Sequence, residues 1–178
     1  MSIEHSAGAI IFRRENDKIY YLSLRYPSSP TRAAAKSKSA SRSFPPSSRK
    51  RDLVAEEEDL SSLTKTPKEY WDLPKGHIEK GEKEIETVRR EVEEETGLKD
   101  IEFVGGFKER IKYFFKFREK NILKFVTFYL AETKEKDIKI SFEHLGFEWL
   151  SYEKAIKKLT FKNAKKILKK ANDFLSPR

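Results

Sequence analysis

The sequence predicts an α/β sandwich on three observations: strand-length apolar runs near the N-terminus and in the middle of the chain, an acidic helical segment between them, and an amphipathic lysine-rich C-terminal stretch. Periodicity alone does not give the order of the strands. A chain of 178 residues with 37% hydrophobic composition can bury one substantial core, so residues 1–178 are expected to form a single domain with an attachment.

The first expected element is a strand pair. Residues 6–14 (SAGAIIFRR) and 19–25 (IYYLSLR) are short apolar runs separated by Glu15, Asn16, Asp17 and Lys18, a polar stretch that reads as a turn. The pattern stops at Pro27. From Ser28 to Arg51 the chain is rich in serine, proline and basic residues and has no acidic residue, and the sign of the charge reverses around Glu56–Asp59. Few groups there offset the entropy of ordering, so residues 28–67 are expected to be a flexible insertion, with a helical turn or more within Leu53–Leu63.

Order returns at YWDLPKGHIEKGE. From about Lys83 to Thr96, Ile85, Val88 and Val92 recur at three- and four-residue intervals, which gives a helix with one apolar face, and Gly97 stops it. Residues 101–117 and 121–133 read as strands joined by a turn near Arg118–Asn121; Lys136–Ile140 and Phe147–Leu150 are further strand candidates. From Ser151 to Leu175, Ile156, Leu159, Ala164, Ile167, Leu168, Ala171 and Leu175 form an apolar stripe, so one or two terminal helices pack against the sheet while the intervening lysines face water.

The chain has no cysteine, which excludes disulfides and thiolate-ligated zinc, and its three histidines are scattered. No apolar run approaches a bilayer span, so a soluble cytoplasmic protein without a membrane partner is expected, with a monomer as the default state. The net charge of +9, from 38 basic and 29 acidic residues, steers polyphosphate or nucleic acid to the surface without choosing between them.

The segment richest in chemistry is Gly76–Leu98, GHIEKGEKEIETVRREVEEETGL. Glu91, Glu94 and Glu95 are spaced three and four residues apart and share neighbouring parts of one helical face, where like charges repel unless something compensates them. A solvated surface is the bland account. Magnesium or manganese is the chemical one: a hard divalent ion takes carboxylate and phosphate oxygens together, neutralises and orients a polyphosphate, and lowers the pKa of an attacking water.

This segment resembles the Nudix box, with Gly76, Glu82, Arg90, Glu91, Val92, Glu94, Glu95, Gly97 and Leu98 all at the family's spacing. The resemblance implies a Nudix α/β/α sandwich, with the box as loop–helix–loop, and hydrolysis of a pyrophosphate linkage assisted by magnesium, with manganese as the alternative and more than one ion once substrate is bound. It implies Glu91 and Glu95 as principal metal ligands, and Glu94 as a ligand or a participant in water activation. Arg90 would orient the acidic site, and Glu82 would tie the loop to the helix or reach a metal through water. Gly76, Gly81 and Gly97 would allow the tight turns.

Outside the box, LPKGHIEKGE, GGFKERIKYFFK, FVTFYLAET and ISFEHLGFEWLSYEKA resemble the asymmetrical diadenosine tetraphosphate hydrolases of that family. The resemblance implies a dinucleoside polyphosphate as substrate, cleaved to a nucleoside triphosphate and a monophosphate by water attack on phosphorus. Lys75 and His77 would flank the polyphosphate, Tyr113 matches a base-stacking position and Lys124 a basic one. Glu143 would be a further metal ligand or general base, and His144 would support a phosphate or its own loop. Lys108 and Arg110 are additional phosphate-contact candidates. The competing readings are an RNA 5′-pyrophosphohydrolase, in which the basic insertion guides RNA, another hydrolase of the same chemistry acting on nucleotide sugars, free dNTPs or diphosphoinositols, and a noncatalytic nucleotide- or RNA-binding module on the same scaffold.

Overall fold

The computed structural model describes residues 2–27, 69–117 and 120–176, with the side chain of Phe117 left out. The insertion expected at 28–67, including Leu53–Leu63, lies outside the described residues.

The first strand pair forms where expected and is longer. Strands β1 (Ser2–Glu15) and β2 (Lys18–Pro27) pair antiparallel with Glu15 opposite Lys18. Asn16 and Asp17 both adopt left-handed backbone, φ 50° and 61°, the mirror-image turn whose twist suits a two-residue hairpin; Asn and Asp tolerate it better than other side chains. Every residue from Ser6 to Arg13 is buried, because β1 lies inside the sheet and is covered on both faces, which explains an apolar run without alternation.

Strands β3 (Glu69–Asp72), β4 (Lys75–His77), β5 (Glu102–Phe117), β6 (Lys120–Glu132) and β7 (Gly146–Leu150) complete a mixed sheet ordered β3-β2-β1-β6-β5, with β4 also on β1 and β7 also on β2. The β1–β6 pair is parallel and joins residues more than a hundred positions apart, such as Ile10 and Leu130. Helix α1 (Glu84–Thr96) covers one face through Val88 and Val92, which pack with Ala7, Ala9, Ile11, Leu22, Leu24 and Tyr26. Helices α2 (Tyr152–Lys158) and α3 (Lys162–Leu175) cover the other, where Ala164, Ile167, Leu168 and Ala171 meet Ile10, Phe12, Val126 and Phe128. The fold is thus an α/β/α sandwich.

The expected strand at Lys136–Ile140 does not form. Ile138 and Ile140 do pack against the core under α1, as their spacing suggests, but the backbone around them is committed elsewhere. The Lys139 and Ser141 amides donate to the carbonyls of Thr96 and Glu95, at 3.0 and 3.2 Å, so the segment satisfies the end of α1 instead of extending the sheet. Gly97 closes the same end at φ 72°, its amide donating to the Glu93 carbonyl. A Gly97→Ala variant would place a Cβ in left-handed backbone and 3.3 Å from the Lys139 Cβ. We expect a loss of about 1 kcal/mol, read as a lower urea midpoint at unchanged slope.

Candidate active site

The loop before α1 is clamped to the helix by one arginine. Arg90 presents its guanidinium edge to both oxygens of Glu82, at 2.8 and 2.9 Å, donates to Glu91 at 2.8 Å and to the His77 carbonyl at 3.0 Å, and lies 3.5 Å from Glu94. A planar fork of donors suits this set of acceptors in a way a lysine ammonium does not. Glu82 accepts further bonds from the Thr87 hydroxyl and the Glu79 amide. Of the two roles expected for Glu82, the structure displays the tie between loop and helix. Gly81, at φ 84°, lets the chain turn into that clamp.

The hydrogen bond from Arg90 is the main reason the Glu82 carboxyl is held down to about 2 from its ordinary 4.5. Because the folded value lies below the unfolded one, this bond contributes stability above pH 4.5 and loses it as pH falls toward 2. A Glu82→Gln variant should therefore show a flatter dependence of stability on pH across that window than the native chain, measured by urea unfolding at a series of acid pH values.

The carboxylates of the box are placed at electrostatic cost. Glu91 and Glu95 are each only 1% exposed, and with Glu94 they occupy the C-terminal half of α1, whose last turn has no basic residue to offset the helix dipole. Glu94 is half-exposed on the flank. Arg90 offsets part of that cost at Glu91.

Gly76 makes the Glu91 position possible. A Cβ there would lie 1.8 Å from the Glu91 carboxyl carbon, so β4 passes the carboxylate with no room for a side chain. This corrects the expectation of a tight turn at Gly76. The residue sits in strand β4 opposite Ala7, and the requirement is close approach.

Glu95 is enclosed by aromatic residues. The Tyr26 hydroxyl lies 3.5 Å from one of its oxygens, and His144 Nε2 lies 3.8 Å from the other. The His144 ring packs edge-on against Tyr26 with centroids 4.5 Å apart, and its Nδ1 is 2.8 Å from the Ser141 hydroxyl. His144 thus contacts its own loop through Ser141 and lies between that loop and Glu95. Glu143 precedes it in the same turn, which follows the irregular segment at the end of α1 and not the strand that was expected there.

The basic candidates divide between the two faces of the sheet. Lys75 and His77 alternate to one side of β4 while Gly76 faces Glu91. The Lys75 ammonium is held by the carboxylate of Asp72 and lies 5.8 Å from the centre of the Tyr26 ring, so Tyr26 adjoins both Lys75 and Glu95. Lys124 Nζ is 3.3 Å from His77 Nε2, both approach Glu4 at 3.8 Å, and Tyr113 stands opposite Lys124 in the β5–β6 register. Tyr113 also packs in part against the core under α3. Lys75, His77, Lys124 and Tyr113 thus form one wall.

Lys108 and Arg110 do not join that wall. Odd intervals of five and three residues along β5 put them on the opposite face from Tyr113, where Lys108 pairs with Glu84 at 2.7 Å and Arg110 lies over Phe125. The sequence reading missed Tyr26, Asp72 and Glu4. Asp72, two residues before Pro74-Lys75 and buried at a strand end, is the one whose position next to a candidate cation offered a signal.

Among the described residues no group of three or more His, Cys, Asp or Glu side chains is already placed to hold a metal ion. Glu91, Glu94 and Glu95 offer oxygen donors only, Glu94 at the surface and the other two buried, which is the donor chemistry of a hard ion that completes its shell with water and phosphate.

A fold and a box of this form define a family, and the chain belongs to it: residues 47–171 match the NUDIX domain model. It is a Nudix hydrolase, an enzyme acting on pyrophosphate linkages in nucleoside diphosphate derivatives. Among curated relatives, the asymmetrical bis(5′-nucleosyl)-tetraphosphatase of Mus musculus is 34% identical over 110 residues, covering 60% of this chain and 72% of its own. The enzyme of the same name from Caenorhabditis elegans is 29% identical over 129 residues, covering 71% and 91%. The crystal structure of a C. elegans Ap4A hydrolase binary complex superposes with a TM-score of 0.66 at 24% identity, covering 97% of each chain, and supports the fold. No described helix is long and apolar enough to cross a membrane.

Proposed function

We propose that this enzyme cleaves a dinucleoside tetraphosphate asymmetrically, diadenosine tetraphosphate giving ATP and AMP. The observation that carries this reading is the wall of Lys75, His77, Lys124 and Tyr113, joined to the buried Glu95 through Tyr26, in a chain similar to enzymes named for that substrate. A wall with two lysines, a histidine and a tyrosine ring suits a ligand of several phosphates with a nucleoside at its end.

Glu91 and Glu95 would hold a divalent ion, magnesium in the first instance and manganese as the alternative, with Glu94 and Glu143 as further ligands when substrate brings more than one ion. Bound there, the ion supplies charge neutralisation of phosphate oxygens and an acidified water. The residues of the chain do the rest. Arg90 fixes the orientation of Glu91, His144 and Tyr26 fix that of Glu95, and Lys75 and Lys124 draw in the phosphates. Glu94 or Glu143 accepts the proton of the attacking water, and the bond that breaks leaves a nucleoside triphosphate and a monophosphate.

Chromatographic product analysis with magnesium, offering diadenosine tetraphosphate beside 5′-triphosphorylated RNA at matched low concentration, tests this. ATP and AMP in equal amounts from the dinucleotide are expected. Symmetric ADP, or preferential release of phosphate or pyrophosphate from RNA, would overturn it.

A further inference from the structure

The sheet face that α1 covers continues past the start of the helix at Glu84. Thr127 and Tyr129 of β6 donate to Glu84 on that face, at 3.0 and 2.8 Å, and residues two apart along each strand share it. The register then sets out rows beyond the helix: Thr127 with Arg110, then His5, Phe125 and Lys112, then Ile3, Leu123 and Phe114, then Asn121 with Lys116. Ile3 and Phe114 are 55% and 54% exposed, and His5, Arg110, Lys112 and Lys116 are exposed as well. The His5 ring stacks on Phe125 at 5.4 Å and 11°, and the Arg110 guanidinium lies 4.9 Å from the same ring. None of these rows contains a carboxylate.

The composition of this face selects its occupant. Two copies of the chain meeting here about a twofold axis would set Arg110, Lys112 and Lys116 of each against a like-charged surface, which disfavours self-association. A partner with planar apolar groups and regular negative charge satisfies both the rings and the cations. We propose that the face binds single-stranded RNA, with bases stacking on Phe114 and on the outer side of His5, and phosphates paired by Arg110, Lys112 and Lys116. Unstacked bases are needed for such contacts, so a duplex does not fit, and stacking on rings tolerates any base. This surface lies on the opposite face of the sheet from Tyr113 and Lys124 and is separate from the proposed substrate wall.

The test is fluorescence anisotropy of the full chain with a short labelled oligouridylate bearing a 5′-hydroxyl, which offers the catalytic site no terminal polyphosphate. The native chain binds it; Phe114→Ala weakens binding roughly ten-fold, and Lys112→Gln lowers the slope of log affinity against log salt by about 0.7. Both variants keep the native rate on dinucleoside tetraphosphate. Absence of binding by the native chain, or equal binding by both variants, overturns the proposal. So does displacement of the oligonucleotide by a saturating non-hydrolysable dinucleotide, which would place the strand in the catalytic site. Sedimentation showing a dimer that Phe114→Ala dissolves would make the face a contact between copies and overturn it as well.

Discussion

A Glu95→Gln variant is expected to keep its fold and lose about a thousand-fold in kcat, the scale on which removal of one charge-stabilising group from an enclosed site acts. The amide has the shape of the carboxylate and removes one negative charge from a site that is 1% exposed, at the end of a helix with no basic residue in its last turn. Loss of that charge relieves repulsion from Glu91 and Glu94, so thermal stability should hold or rise while turnover collapses. The opposite movement of the two quantities separates a functional carboxylate from a structural one. Full turnover in the variant would remove Glu95 from the site.

Gly76→Ala is expected to harm both stability and activity. The added methyl group would lie 1.8 Å from the Glu91 carboxyl carbon and about as close to both its oxygens. Either Glu91 leaves its place against Arg90 or β4 draws away from α1. Overpacking of this kind costs about 1–3 kcal/mol, and displacing a carboxylate from the reacting centre should lower kcat/KM by roughly a hundred-fold. The contrast with Gly97→Ala is informative, because that change strains the helix end and leaves the carboxylate positions alone. If Gly76→Ala proved as active as Gly97→Ala, the close approach would have no functional weight.

Much of this site could be read from the sequence because its signals are local. The helix declares itself through Ile85, Val88, Val92 and the stop at Gly97, and the spacing of Glu91, Glu94 and Glu95 follows from helical geometry. What escaped depends on contacts between distant segments. Tyr26 reaches Glu95 from the end of β2, and Glu4 reaches His77 and Lys124 from the start of β1, along a parallel pairing that no hairpin signal announces. Lys136–Ile140 has the alternation of a strand, yet the open carbonyls of Glu95 and Thr96 claim its amides. The separation of Lys108 and Arg110 from Tyr113 was accessible in principle, since an odd interval along a strand changes face, but only once β5 was known to run unbroken from Lys108 to Tyr113.

The central claim is that Glu91 and Glu95 form a divalent-ion site that polyphosphate completes. Electron paramagnetic resonance of manganese added to the native chain and to the Glu91→Gln and Glu95→Gln variants tests it without relying on turnover. The account predicts that the native chain binds manganese and binds it more tightly when a non-hydrolysable dinucleoside polyphosphate is present, and that each variant loses both effects while its circular dichroism is unchanged. Equal manganese binding by native and variant chains would contradict it.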